Sequence, residues 1–123
     1  MRSNPVCWFE IYVQDMPRAK AFYEGVLGTT LSQLPSSDLD MWAFPMQQAA
    51  GGSGGALVKM AGVPSGGNST LVYFACDDCG VEESRVAACG GRVYRPKLSI
   101  GQYGFITLAF DTEGNMFGLY SQK

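Results

Sequence analysis

Cys7-Trp8-Phe9-Glu10-Ile11-Tyr12-Val13-Gln14-Asp15-Met16-Pro17 opens a unit that closes at Gly28, and Thr70-Leu71-Val72-Tyr73-Phe74-Ala75-Cys76-Asp77-Asp78 opens a second that closes at Gly90-Gly91. In each, an apolar strand runs through aspartate into a helix that glycine ends. Phe9, Ile11 and Val13 alternate with Trp8, Glu10 and Tyr12, so the first set faces the helix and the second faces away from it. Asp15 is placed to cap the first helix and Pro17 to sit in its first turn. Met16, Ala19, Phe22, Tyr23, Val26 and Leu27 recur at helical spacing before Gly28 supplies a left-handed cap. The spacing predicts helices near 16–27 and 79–89, the second capped by Asp77 or Asp78.

Three further strands are expected in the first half, over 30–34, 41–44 and 56–60. They are separated by Pro35-Ser36-Ser37-Asp38 and by the glycine run Gly51 to Gly55. The second half repeats the order with strands over 71–76, 92–98, 105–110 and 116–120, and Asp111-Thr112-Glu113-Gly114-Asn115 forms the turn before the last. An offset of 62 or 63 residues superposes the halves equally well. The order is βαβββ twice. A half-size unit cannot bury both faces of its elements, so the two copies are expected to pack as one domain over 1–123, with module one at 5–63, a linker at 64–69 and module two at 70–121. The fold class is therefore α+β.

Composition narrows the function. The chain has 123 residues, a net charge of −2 and no histidine. The nine basic residues are scattered, which leaves no electrostatic footprint for nucleic acid or an anionic membrane. No apolar run approaches the roughly 20 residues that span a bilayer, and a cytoplasmic location is expected. Without histidine the commonest general base and neutral metal ligand are missing. Cys7, Cys76, Cys79 and Cys89 do not form a disulfide framework or a closed zinc set. Cys76-x-x-Cys79 has redox spacing, but buried structural thiols account for it better.

The motifs Val13-x-Asp15-x-x-x-Ala19-x-x-Phe22-Tyr23-x-x-x-Leu27-Gly28 and Asp111-x-x-Gly114-Asn115-x-Phe117, set in this element order, resemble the vicinal oxygen chelate superfamily of glyoxalases, bleomycin-resistance proteins and extradiol dioxygenases. The resemblance covers nearly the whole chain, from Pro5 to Ser121. It implies two βαβββ modules forming a cup-shaped mixed sheet, and a homodimer. In metal-dependent relatives the cup holds a divalent ion on His, Glu or Gln. The corresponding positions here are Trp8, Thr70 or Leu71, Gly55 or Ala56, and Gly118, none of which is a donor of that kind. No metal and no other cofactor is expected, and glyoxalase I or dioxygenase chemistry by the family mechanism is not. Whether the protein is an enzyme stays open.

The leading expectation is a metal-independent protein that binds a small molecule in an aromatic-lined cup. The alternative is a lyase, isomerase or epimerase of the same fold in which Glu10 is the general base. Trp8, Glu10, Tyr12, Trp42, Phe44, Tyr73, Tyr94, Tyr103, Phe105 and Tyr120 are the candidate ligand-binding residues. Glu10 is expected in the cup among aromatic rings, where burial would raise its affinity for a proton. The competing reading makes it a structural carboxylate paired with a backbone donor, Arg95 or Lys97. Each aromatic taken singly is more often core than ligand wall, but the tyrosine hydroxyls suit a wet cavity. Asp15, Asp77 and Asp78 are read as caps.

Overall fold

A computed structural model describes residues 5–36, 39–46 and 52–123. The elements run β1 (Trp8–Tyr12), α1 (Met16–Leu27), β2 (Ser32–Gln33), β3 (Asp40–Ala43), β4 (Gly54–Lys59), β5 (Tyr73–Ala75), α2 (Cys79–Val86), β6 (Arg92–Ser99), β7 (Phe105–Phe110) and β8 (Met116–Ser121). They form two four-stranded mixed sheets of matching order, β1-β4-β3-β2 and β5-β8-β7-β6. In each, the strand before the helix pairs in parallel with the last strand of its half, and the remaining pairs are antiparallel. The expected βαβββ repeat is thus present. The expected breaks at Ser37-Asp38 and at Gly51 lie outside the described residues.

Helix α1 forms where the sequence places it. Asp15 caps it by accepting from the Arg18 amide at 3.1 Å, and Gly28 ends it at φ 65°. Its stripe of Met16, Ala19, Phe22, Tyr23 and Val26 is buried, and each large side chain there contributes about 1.5–3 kcal/mol relative to exposure. Asp78, rather than Asp77, caps α2. That helix stops at Val86 instead of reaching Cys89. Beyond it Gly90 bonds back to Ala87 and Gly91 to Val86, so the chain unwinds through tight turns to Gly90 at φ 99°. Both sheets press one face onto a shared core, with Ile11 and Leu57 from the first meeting Ala109, Phe117 and Leu119 from the second. The rings of Phe22, Tyr23, Phe44, Phe74 and Phe117 interlock there at centroid distances of 5.0–6.1 Å.

The turn between β7 and β8 clamps the halves together. Asp111 closes the turn by accepting from the Glu113 and Asn115 amides, both at 2.8 Å. Its other oxygen takes the buried Tyr23 hydroxyl at 2.7 Å. Glu113 accepts from the Gln14 and Asp15 amides and receives the Arg18 guanidinium on both oxygens, at 2.7 and 3.1 Å. Asn115 donates to the Tyr12 carbonyl and accepts from Gly66, whose φ of 83° and close approach to the Gly114 carbonyl admit only glycine without strain.

Burial alone would raise the Glu113 carboxyl, but Arg18, the two amides and the Thr112 hydroxyl outweigh it and hold it at about 2. Against an ordinary value of 4.5, the stabilisation is complete above that pH and is lost as the pH falls through 2. Unfolding free energy should fall by on the order of 2–3 kcal/mol between about pH 5 and pH 2 on this account. Urea titrations across that range check it. Glu113→Gln should flatten this part of the profile and lower stability at neutral pH.

Candidate functional site

Strand pairing decides which side chains face away from the helices. Glu10 stands opposite Ala56, which stands opposite Ala43, and Trp8 and Tyr12 share their face. In the second sheet Tyr73 stands opposite Gly118, which stands opposite Leu108, and Ala75 opposite Tyr120, which stands opposite Ile106. These residues form the outer, concave side.

On β1 the expected trio comes together. Glu10 accepts from the Trp8 indole at 3.2 Å on one oxygen and from the Tyr12 hydroxyl at 2.6 Å on the other. That bond, then burial and the carboxylate's charge, raises the Tyr12 phenol above its ordinary value. Glu10 itself is exposed, so the desolvated acid expected among aromatics is not what β1 presents. Nor does it meet Arg95 or Lys97. Both lie on β6, at the far edge of the other sheet, and Lys97 pairs with Asp78 at 2.8 Å.

Among the described residues, these outer side chains border two hollows of different character. One, of about 320 Å³, runs from Glu10 and Tyr12 to Asn68, Thr70 and Met116, between β1 and the connection to the second half. The other, of about 450 Å³, is apolar and lined by Tyr73, Ala75, Ile100, Ile106 and Tyr120. The Tyr120 hydroxyl donates to the Tyr103 carbonyl, while the Tyr103 ring, in the turn Gly101–Tyr103, is 67% exposed. Tyr94 is exposed and packs its ring on Phe110 with centroids 5.9 Å apart.

Three candidates stand elsewhere. Trp42 pairs with Leu57 and so faces the helix, where Lys20 lies 3.5 Å over its ring and Asp40 accepts its indole hydrogen. Phe44 is buried between Phe9, Tyr23 and Phe74. Phe105 stands opposite Ser121, whose hydroxyl accepts from the Cys79 amide, and so packs on the α2 side. Trp42, Phe44 and Phe105 therefore do not line the aromatic cup expected of them. Asn68, Ile100 and Ile106 are not among the candidates, and Thr70 is one only as a metal position. Ile106 and Met116 carry a sequence signal, their alternation on β7 and β8.

The metal positions do not fit a divalent ion. Gly118 lies under the Tyr73 ring, which a Cβ there would meet at 2.3 Å, and Gly55 faces the core under Phe9, at 2.2 Å. Among the described residues no three of His, Cys, Asp and Glu converge. The Cys76 thiol is pushed up to about 12, first by burial and then by the Glu82 charge, the reverse of what a redox nucleophile needs. Among the same residues no helix is long and apolar enough to cross a membrane.

The two glycines predict different costs. Phe9 is locked among Phe44 and Phe74, so Gly55→Ala should destabilise by about 1–3 kcal/mol through overpacking. Tyr73 is 45% exposed and free to swing, so Gly118→Ala should cost less. Thermal melts of the two variants compare them.

This geometry has known counterparts. "Putative glyoxylase CFP32" of Mycobacterium tuberculosis is 30% identical over 117 residues, covering 95% of this chain and 44% of that protein. The chain thus spans under half the length of this curated relative. Among solved structures, TnmS3, an antibiotic binding protein from Streptomyces sp. CB03234, superposes with a TM-score of 0.74 at 24% identity, over 100% of this chain and 99% of that one. Glyoxalase I from Zea mays superposes at 0.74 and 21% identity, over 96% of this chain and 44% of that one. The family profile described as Glyoxalase/Bleomycin resistance protein/Dioxygenase superfamily matches residues 6–119, and the chain belongs to that superfamily.

Proposed function

We propose that the protein is a metal-independent binder of small molecules, cytoplasmic and homodimeric, which holds its ligand on the concave side. The observation that carries this reading is the replacement of metal donors by rings. Where the family pattern calls for ligands on the last strand of the second half, Gly118 lets Tyr73 lie flat against the sheet. Beside it Tyr120, Ile100 and Ile106 leave an apolar hollow large enough for a ring system. Across the cup Trp8, Glu10 and Tyr12 supply a polar strip. A planar ligand with a polar edge suits both halves. The antibiotic binding named for TnmS3 supports a ligand of that kind.

A partner copy suits the same surface. Tyr73 and Tyr103 are exposed at 45% and 67% beside an apolar hollow, an arrangement that isolated domains seldom leave uncovered.

Ligand binding to the native state raises apparent stability. A panel of planar polycyclic antibiotics should therefore contain members that raise Tm by several degrees, with or without EDTA. Elemental analysis should find no stoichiometric zinc, nickel, manganese or iron, and light scattering should give twice the 13.2 kDa chain mass. Stoichiometric metal would overturn metal independence, and a monomer would overturn the dimer. A panel without a single stabilising member counts against the binding itself.

A further inference from the structure

We propose that the hollow beside Glu10 selects ligands that carry a positive charge, an amine or amidine on an aromatic body, an inference that rests on the binding reading above. Glu10 is the one charged residue among those that line this hollow of about 320 Å³. Among the described residues no cation pairs with it: the ion pairs there are Arg18 with Glu113 and Lys97 with Asp78, and Glu10 joins neither. Its two donors, the Trp8 indole and the Tyr12 hydroxyl, are neutral and engage one oxygen each. Each carboxylate oxygen accepts more than one hydrogen, so both keep capacity for a further donor.

The two amide side chains of the wall, Asn68 and Asn115, are already engaged, and its Ser69 and Thr70 hydroxyls carry no charge. The Asn68 amide donates to the Thr70 and Met116 carbonyls and accepts from the Met116 amide. Asn115 donates to the Tyr12 carbonyl and Asp111, and its oxygen accepts from Gly66. What the hollow offers a ligand is therefore one anionic acceptor, with the Tyr12 phenol beside it and the neutral Ser69 and Thr70 hydroxyls in the same wall; Trp8, outside the lining, holds Glu10 through its indole. An ammonium or amidinium entering there gains charge-assisted hydrogen bonds to Glu10 and attraction to the neighbouring rings. A carboxylate meets like charge. Trp8 and Tyr12 also hold the Glu10 side chain in place, which reduces the ordering cost of binding.

The test compares three probes that share a phenyl ring: 2-phenylethylamine, 2-phenylethanol and phenylacetate. Each is titrated into the intact folded protein at neutral pH and low ionic strength, with amide NMR shifts as the readout. The amine should bind about 10-fold tighter than the alcohol, equivalent to about 1.4 kcal/mol, with phenylacetate weakest. That advantage should shrink in about 0.5 M salt, because the site is open to solvent. Glu10→Gln should erase the amine's advantage, bringing the amine's affinity to that of the alcohol. Equal affinities for amine and alcohol, with shifts at Tyr12, Asn68 and Thr70, would overturn charge selection and leave the binding reading standing. An amine preference that survives Glu10→Gln would overturn it too. Absence of shifts with all three probes would overturn both readings at this hollow. Should Glu10→Gln fail to fold, the wild-type ranking and its salt dependence decide.

Discussion

Two carboxylates in one turn hold the halves of this chain in register. Asp111 and Glu113 sit where β7 gives way to β8, yet their partners come from the first half: the Tyr23 hydroxyl, the Arg18 guanidinium and the amides at the start of α1. Glu113 is buried with its charge intact, and a buried carboxylate persists only when pairing and hydrogen bonds offset its lost hydration. Every oxygen in the pair is engaged. Asn115 extends the clamp to the Tyr12 carbonyl at the end of β1 and to Gly66 in the connecting segment. The strand that bears Glu10 is thereby fixed at its C-terminal end against the opposite half. The Tyr12 carbonyl bound by Asn115 belongs to the same residue whose hydroxyl holds Glu10, so clamp and site share a residue.

Close ring-on-glycine contacts shape the two faces. Phe9 covers Gly55 on the core side, and Tyr73 covers Gly118 on the concave side. The first contact fills the core, since a Cβ at 55 would drive Phe9 into Phe44 and Phe74. The second removes a donor position and replaces it with apolar surface. At Gly118, one of the positions the family pattern gives to a metal ligand, this chain has ring surface over the strand instead.

Much of this was legible in the sequence, and the parts that were not share a cause. Helix α1 was readable to its last residue because cap, stripe and terminating glycine are all local. The outward set Trp8, Glu10 and Tyr12 followed from alternation within a single strand. Trp42, Phe44 and Phe105 were placed in the cup by residue type. Their faces depend on pairing with strands that lie tens of residues away, as Trp42 does through Leu57. The Asp111 turn was recognisable, but its partner Tyr23 is 88 residues distant, and no local pattern names so remote a donor. The Glu10 environment was misread because nearby aromatic residues imply burial in sequence, whereas an edge strand leaves its outer face open to water.

The repeat explains why the cup has two unlike ends. Glu10 and Tyr73 occupy corresponding places, each five residues before its helix cap, Asp15 or Asp78, and each opposite a small residue on the last strand of its half. Here one half keeps a carboxylate held by an indole and a phenol, and the other has a ring laid over glycine. Electrostatic attraction is therefore confined to one hollow and apolar burial to the other. A ligand bound as proposed would turn its polar or charged end toward β1 and its ring toward β5 and β8. The two halves repeat one strand order, yet unlike residues at a single pair of equivalent positions, Glu10 and Tyr73, make their outer faces chemically different.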